Sequence, residues 1–273
     1  MRNILVVVES ADSAKMMLEK SLRFLPESIS VVLFSDSNAV AADVQTVLND
    51  VAAGHCTANL IINSAFDKHA KKLSMTDLLS HTNPDMVVIY RPQLGQGQHD
   101  FGLVKAVLQS ESQSAVLFCG DNKWKKKMKV LATLDMVDDS PSQGLLNDKV
   151  ADTAVQLLNM TQAELTLLSV IEISGIREEL DIAIPHELMA TKGKEIKARL
   201  ADMISTKGQP IVYSTFVSVG VVSKEISSVS QKLKSSLVIM GNVGRTGLKG
   251  FVVGNTAEKI LERLAVDALI VKA

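Results

Sequence analysis

One stretch of this chain concentrates groups that could hold an anion. In Leu237–Ile260 (LVIMGNVGRTGLKGFVVGNTAEKI) a short apolar run ends at Met240 and a glycine-rich connection starts at once. Gly241, Gly244 and Gly254 punctuate it, and Asn255 and Thr256 open a helical stretch. Glycines let backbone N–H groups approach an anion closely. A helix starting near Asn255 adds free N–H groups and a positive dipole end. Asn255 and Thr256 suit an N-cap, with Glu258 in the first turn. Arg245 and Lys249 could supply counter-charge for phosphates. The plainer reading of the same glycines is a connection that merely turns the chain.

Known phosphate patterns separate the possibilities. A P-loop needs G-x-x-x-x-G-K-[ST], and neither Gly241 nor Gly244 has a glycine at the required position. The dinucleotide pattern G-x-G-x-x-G is absent there too. In the first half, Gly95-Gln-Gly97-Gln-His-Asp100 comes near it, but Asp100 stands where the last glycine belongs and would repel phosphate.

Other reactive residue types are dispersed. Asp135, Asp138 and Asp139 follow an apolar run. They could lie near an ion such as Mg²⁺, or simply solvate a loop and cap a helix. The histidines His55, His69, His81, His99 and His186 lack metal-ligand spacing. Cys56 and Cys119 form no C-x-x-C pair and read as reduced thiols of a cytosolic protein. No G-x-S-x-G elbow or nucleophile–base pair is present. Ser223, Ser227, Ser228 and Ser230 read as helix-surface residues. Met16, Met17, Met75, Met86 and Met203 read as core filler.

The elements that must position these groups follow from periodicity. Arg2–Val8, Ile29–Phe34, Ala58–Ile62, Met86–Tyr90 and Ala115–Cys119 are short β-branched runs suited to strands buried on both faces. Ser13–Phe24, Val40–Ala52 and Ala70–Leu79 between them have helical spacing. Alternation of this kind predicts βαβ units and a parallel sheet. The order then recurs in Lys129–Leu134, Leu165–Ile171, Ile211–Val217, Leu237–Met240 and Ala268–Lys272, offset by roughly 125–155 residues. That spacing is too long for a solenoid and reads as a duplicated domain. The boundary falls in Gly120–Lys127, giving domains 1–122 and 128–273. Its lysine run reads as a solvated linker or, alternatively, a patch for an anionic partner.

Composition bounds the function. The 273 residues are 47% hydrophobic, 22% charged and 4% aromatic, with net charge −1. This predicts aliphatic cores and excludes a disordered chain or the basic footprint of a nucleic-acid binder. The start MRNILVVVES turns polar at Glu9, and no apolar run nears the ~18 residues of a membrane span. The expected compartment is the cytoplasm.

Together, Gly241, Gly244 and Gly254 fit G-x-x-G-(nine residues)-G. This spacing resembles the ATP-binding pattern of the universal stress protein family. Val130–Asp135 (VLATLD) is similar to that family's first strand with its terminal aspartate. Leu168–Ile171 resembles its second strand, and Ala265–Lys272 its closing strand. With the duplication, the whole chain resembles a tandem-type universal stress protein. The resemblance implies two Rossmann-like doubly wound α/β domains, each with five parallel strands in the order 3-2-1-4-5 and helices on both faces. It implies ATP, with or without Mg²⁺, at the carboxyl edge of the second domain, where strand order reverses.

By the same resemblance, Asp135 would approach adenine and ribose, and Val170 the adenine edge. Met240, Gly241 and Gly244 would line the ribose and phosphate side. Arg245 would add counter-charge, and Gly254, Asn255 and Thr256 would receive phosphates. Asn255 departs from the family's Ser or Thr, and Glu9 replaces the aspartate in the first half, whose glycine pattern is lacking. The expected function is a non-enzymatic nucleotide-binding module of the stress response, read by a protein partner. Two alternatives keep the fold: an apolar, lipid-like ligand under the segment Glu172–Met189, and a slow ATPase. Ala115–Cys119 and Ala268–Lys272 are expected to pair within one chain as a pseudo-dimer, which covers two edges. A further homodimer remains open.

Overall fold

Short β-branched runs alternate with amphipathic stretches, and the chain folds accordingly. The structure, a computed structural model, describes residues 1–63, 68–91, 107, 112–173, 183–207, 211–242 and 255–272. The described residues divide into two compact units, one ending at Lys123 and the other starting at Trp124.

The first unit runs β1 (Asn3–Val8), α1 (Ala11–Ser21), a 3₁₀ turn (Leu22–Phe24), β2 (Ser28–Phe34), α2 (Asn38–Ala52), β3 (Thr57–Asn63), α3 (Lys68–Thr82), β4 (Met86–Tyr90) and β5 (Ala115–Cys119). All pairings are parallel and give the order β3-β2-β1-β4-β5. Val6, Val31, Val88 and Leu117 are fully buried at its centre. The buried Lys20 side chain of α1 donates to the Gly120 carbonyl at 2.7 Å, which satisfies its ammonium below β5.

The second unit runs β6 (Lys129–Thr133), α4 (Pro141–Thr161), β7 (Glu164–Glu172), α5 (Ala183–Ser205), β8 (Tyr213–Gly220), α6 (Val222–Leu233), β9 (Leu237–Asn242), α7 (Asn255–Arg263) and β10 (Asp267–Lys272). Its pairings are also parallel, in the order β8-β7-β6-β9-β10. Right-handed crossovers send α4 and α5 to one face and α6 and α7 to the other. The chain reverses direction across the sheet between β6 and β9, so the loops after these two strands part and leave a crevice. Serines begin three of the described helices. Ser10 caps α1, Ser37 caps α2, and Ser140 caps α4 ahead of Pro141.

Several expectations need correction. β3 is not buried on both faces: Thr57, Ala58, Asn59 and Ile62 are exposed. It ends the hydrogen-bonded order of its unit and has one strand neighbour. β8 starts at Tyr213, not Ile211, because its ladder begins opposite Leu165, and Val212 is left 90% exposed. β9 runs two residues past Met240, because β10 continues to pair with Gly241 and Asn242. Ser223, Ser227 and Ser230 are buried on the inner face of α6; only Ser228 of that group is exposed. Met16 and Met203 are half-buried, unlike the fully buried Met17, Met75 and Met86.

The Gly120–Lys127 segment is more than a solvated linker. Trp124 Nε1 donates to the buried Asp267 carboxylate at 2.7 Å, and Lys127 pairs with Glu164 at 2.7 Å. The Lys127 ammonium holds the Glu164 carboxyl below its usual range. Both cysteines are free thiols, and burial pushes Cys56 up, away from the reactive thiolate. Among the described residues no helix is long and apolar enough to cross a membrane.

Candidate functional site

The carboxyl edge of the second unit gathers the described site residues. Asp135 follows β6, Val170 lies late in β7, and Met240 and Gly241 lie late in β9. Asn255 and Thr256 form the first residues of α7. Gly244, Arg245, Lys249 and Gly254 lie outside the described residues. So do the first-half loop Gly95–Asp100 and residues 174–182 of the Glu172–Met189 segment.

The Asp135 carboxylate is exposed, and one of its oxygens builds the loop. Oδ1 accepts from the Val137 N–H at 2.9 Å and the Asp138 N–H at 3.2 Å. The Asp135 peptide is clamped by the buried Asn147 of α4. Asp135 N–H donates to Asn147 Oδ1 at 3.1 Å, and Asn147 Nδ2 donates to the Asp135 carbonyl at 2.7 Å. Gln143, one turn earlier, donates to the same Oδ1 at 2.9 Å. Ser169 Oγ accepts the Met136 N–H at 3.2 Å. The carboxylate is thus presented from a fixed backbone. Sequence reasoning missed Asn147 and Ser169. The available signal was a pair of amides at i and i+4, Gln143 and Asn147, on the apolar stripe of a helix.

Gly241 has a use that the sequence did not announce. A Cβ there would lie 2.5 Å from Leu146 Cγ and 2.6 Å from its Cδ2. The glycine therefore lets α4 pack directly on β9, beside any role in approaching a ligand. Met240 is 2% exposed, so its side chain belongs to the core and only its backbone faces the crevice edge. Val170 is half-buried and stands opposite Ser218 in the register.

A second opening, about 510 Å³, lies between α4 and α5. Asp138, Asp139, Asp148 and Asp202 line it, against Arg199. Arg199 pairs with Asp139, and Lys207 holds both Asp148 and Asp152 at 2.9 Å. Burial lowers the Lys207 pKa, but the two aspartates outweigh it and the net shift is upward. The surplus of carboxylates disfavours a polyphosphate here. Among the described residues no cluster of three or more His, Cys, Asp or Glu could cage a metal.

The first unit has its own counterpart of this edge. Ile4 pairs with Ile29 and Met86, as Val130 pairs with Leu165 and Leu237. Counting along each strand, Glu9 matches Asp135, Phe34 matches Val170 and Tyr90 matches Gly241. Tyr90 is bulky where the second unit needs glycine. Its hydroxyl donates to Asp121 at 2.7 Å, which raises the phenol to about 12.

Comparison with known proteins bears on this geometry. A family model described as the universal stress protein family matches residues 136–272. Universal stress protein E from Salmonella typhi is 25% identical over 215 residues, covering 70% of this chain and 66% of that protein. The protein of the same name from Escherichia coli K12 is 26% identical over 165 residues, covering 58% of this chain and 51% of its own length. The chain thus spans between about half and two thirds of the length of these curated relatives. The crystal structure of a candidate universal stress protein from Pseudomonas aeruginosa UCBPP-PA14 matches with a TM-score of 0.70 at 16% identity, covering 100% of this chain and 93% of that one. A universal stress protein from Archaeoglobus fulgidus DSM 4304 matches with a TM-score of 0.63 at 14% identity, covering 99% and 98%. At such identities the structural likeness establishes the fold.

Proposed function

The chain belongs to the universal stress protein family, and from that premise we propose that its second unit is a non-enzymatic ATP-binding module. The observation that carries this reading is the convergence of a fixed, exposed Asp135 carboxylate with Gly241 across the β6/β9 crevice. The glycine spacing from Gly241 to Gly254 and the helix that starts at Asn255 support it.

In this reading Asp135 receives the ribose hydroxyls and Val170 offers its backbone to the adenine edge. Met240, Gly241 and Gly244 line the ribose and phosphate side. Gly254 and the first N–H groups of α7, at Asn255 and Thr256, hold the phosphates. Arg245 adds counter-charge. Mg²⁺ would ride on the phosphates and water rather than in a protein cage, as its octahedral preference allows. The phosphates engage the Gly241–Gly254 loop, and a protein partner reads the nucleotide-bound state. The two units act as tandem copies of one fold in the cytoplasm, with the first unit degenerate for nucleotide.

Calorimetric titration of the chain with ATP and Mg²⁺ tests the reading. One ATP per chain is expected, lost in Gly244→Val and Gly254→Val. Absence of binding, or binding unchanged in both variants, overturns it. Turnover of ATP no faster than in buffer is expected, because no described side chain stands as a base for an attacking water.

A further inference from the structure

In the first unit, the edge that matches the candidate site is filled by a side chain of the chain itself. Lys71, in the first turn of α3, places Nζ 2.9 Å from Glu9 Oε1 and 5.5 Å from the centre of the Phe34 ring. Glu9 and Phe34 are the register counterparts of Asp135 and Val170. The Lys71 side chain is 19% exposed although Glu9 is 70% exposed, so most of the lysine side chain is covered while the carboxylate stays open. Asn63, the last residue of β3, donates to Ser74 and fixes α3 over these strand ends. A carboxylate beside an aromatic face is a complete recognition pair for a cation.

The second unit differs at the equivalent places. The fourth residue of α6 is Glu225 where α3 has Lys71. Its side chain lies over Gly220, with Cγ 2.9 Å from where a glycine Cβ would be. Asp135 draws its hydrogen bonds from its own loop.

We infer that Lys71 is a tethered occupant of the first unit. It fills the place between the ends of β1 and β2 that corresponds to the base and ribose end of the nucleotide site, and so keeps a purine nucleoside out. The inference rests on the proposed reading of the second unit. A tether makes a weak contact sufficient. Exposed ion pairs are individually weak, but a group held by its own helix acts at an effective concentration in the mM range. A free nucleoside must outcompete that.

The test uses the full chain carrying Asp135→Asn, which weakens the base and ribose end of the second unit, and equilibrium dialysis against labelled adenosine. Adenosine is chosen because the first-half sequence carries Asp100 where a phosphate-binding pattern would have glycine. Adding Lys71→Ala should create one adenosine site per chain, with affinity at least tenfold above the Lys71 parent. Lys71→Arg, which keeps the cation, should stay closed. Lys71→Met, which keeps the stem without the charge, should open the site and serves if the alanine variant is poorly folded. Equal adenosine binding by the Arg, Met and Ala variants, with wild-type circular dichroism and melting, overturns the inference. Titration of the wild-type chain with ATP separates the two readings. If wild type takes no ATP but Lys71→Ala gains adenosine, the second-unit reading falls and the role of Lys71 stands. One ATP in wild type with no adenosine gained sinks the Lys71 inference alone.

Discussion

Asp135 serves the fold and the candidate site with one carboxylate. Oδ1 closes the turn through two backbone N–H groups. Asp135→Asn keeps a neutral acceptor for that turn and removes the charge. Hydrogen bonds to charged groups are worth about 1.5–3 kcal/mol, so ATP affinity should fall roughly ten- to hundredfold. The melting temperature should stay near wild type. Calorimetry and a thermal melt on the same sample check both halves of this, and an unchanged affinity removes Asp135 from the site. Gly241→Ala acts differently. Its Cβ meets Leu146, and overpacking of this kind costs about 1–3 kcal/mol. Adding Leu146→Ala should recover part of the loss, a coupling that urea denaturation of the double-mutant cycle measures. The sequence singles out Gly241 by its place in the glycine spacing. Its close approach to Leu146 of α4 is a separate constraint, and no local spacing records that contact. Asn147 was hidden in the same way, because its partner is the peptide of Asp135.

α4 is the element that holds the loop, and its two ends were unequally readable. Ser140 followed by Pro141 is a helix start with a mechanism: the hydroxyl takes the Gln143 N–H, and proline at the first helical position loses nothing. Ser140→Ala should cost about 1 kcal/mol of stability by denaturant titration. Gly144 sits inside the same helix with open space where a Cβ would be. Gly144→Ala should therefore stabilise the chain by about 0.5–1 kcal/mol; a loss instead would mean that the space is used. Strand positions came through because β-branched runs between helical stretches have few alternatives. Strand ends did not, since the neighbour decides them. β8 begins where Leu165 offers a partner, not where its apolar run starts at Ile211. The buried serines of α6 were misread for a related reason. Small hydroxyls fit a close helix–sheet contact, and polarity alone does not report that contact.

At the scale of the whole chain, a net charge of −1 makes bulk electrostatics a poor guide, and local burial decides where charge matters. The two units share strand order and register, yet their carboxyl edges carry Glu9, Phe34 and Tyr90 in one and Asp135, Val170 and Gly241 in the other. Matching strand positions therefore carry different side chains at the two edges. Lys272, the last residue of β10, gives this scale its measurable consequence. It is 2% exposed, and burial lowers its ammonium to about 8, against about 10.4 for an unfolded lysine. Between these values the unfolded chain binds more protons than the folded one, so the contribution of Lys272 to stability rises with pH. Below about pH 8 both states are protonated and the burial penalty is fully present. Tyr90 has the opposite sign at higher pH. Its phenol, raised to about 12, stabilises the fold below about pH 10 and loses that contribution as pH climbs through 12. The window from pH 8 to 10 lies below the Tyr90 range, and the raised Cys56 thiol, common to wild type and variant, cancels in their difference. Urea denaturation of wild type and Lys272→Met across it should show the wild type gaining on the variant as pH rises. A constant difference between the two would mean that Lys272 titrates as an ordinary exposed lysine, and that its burial does not persist in solution.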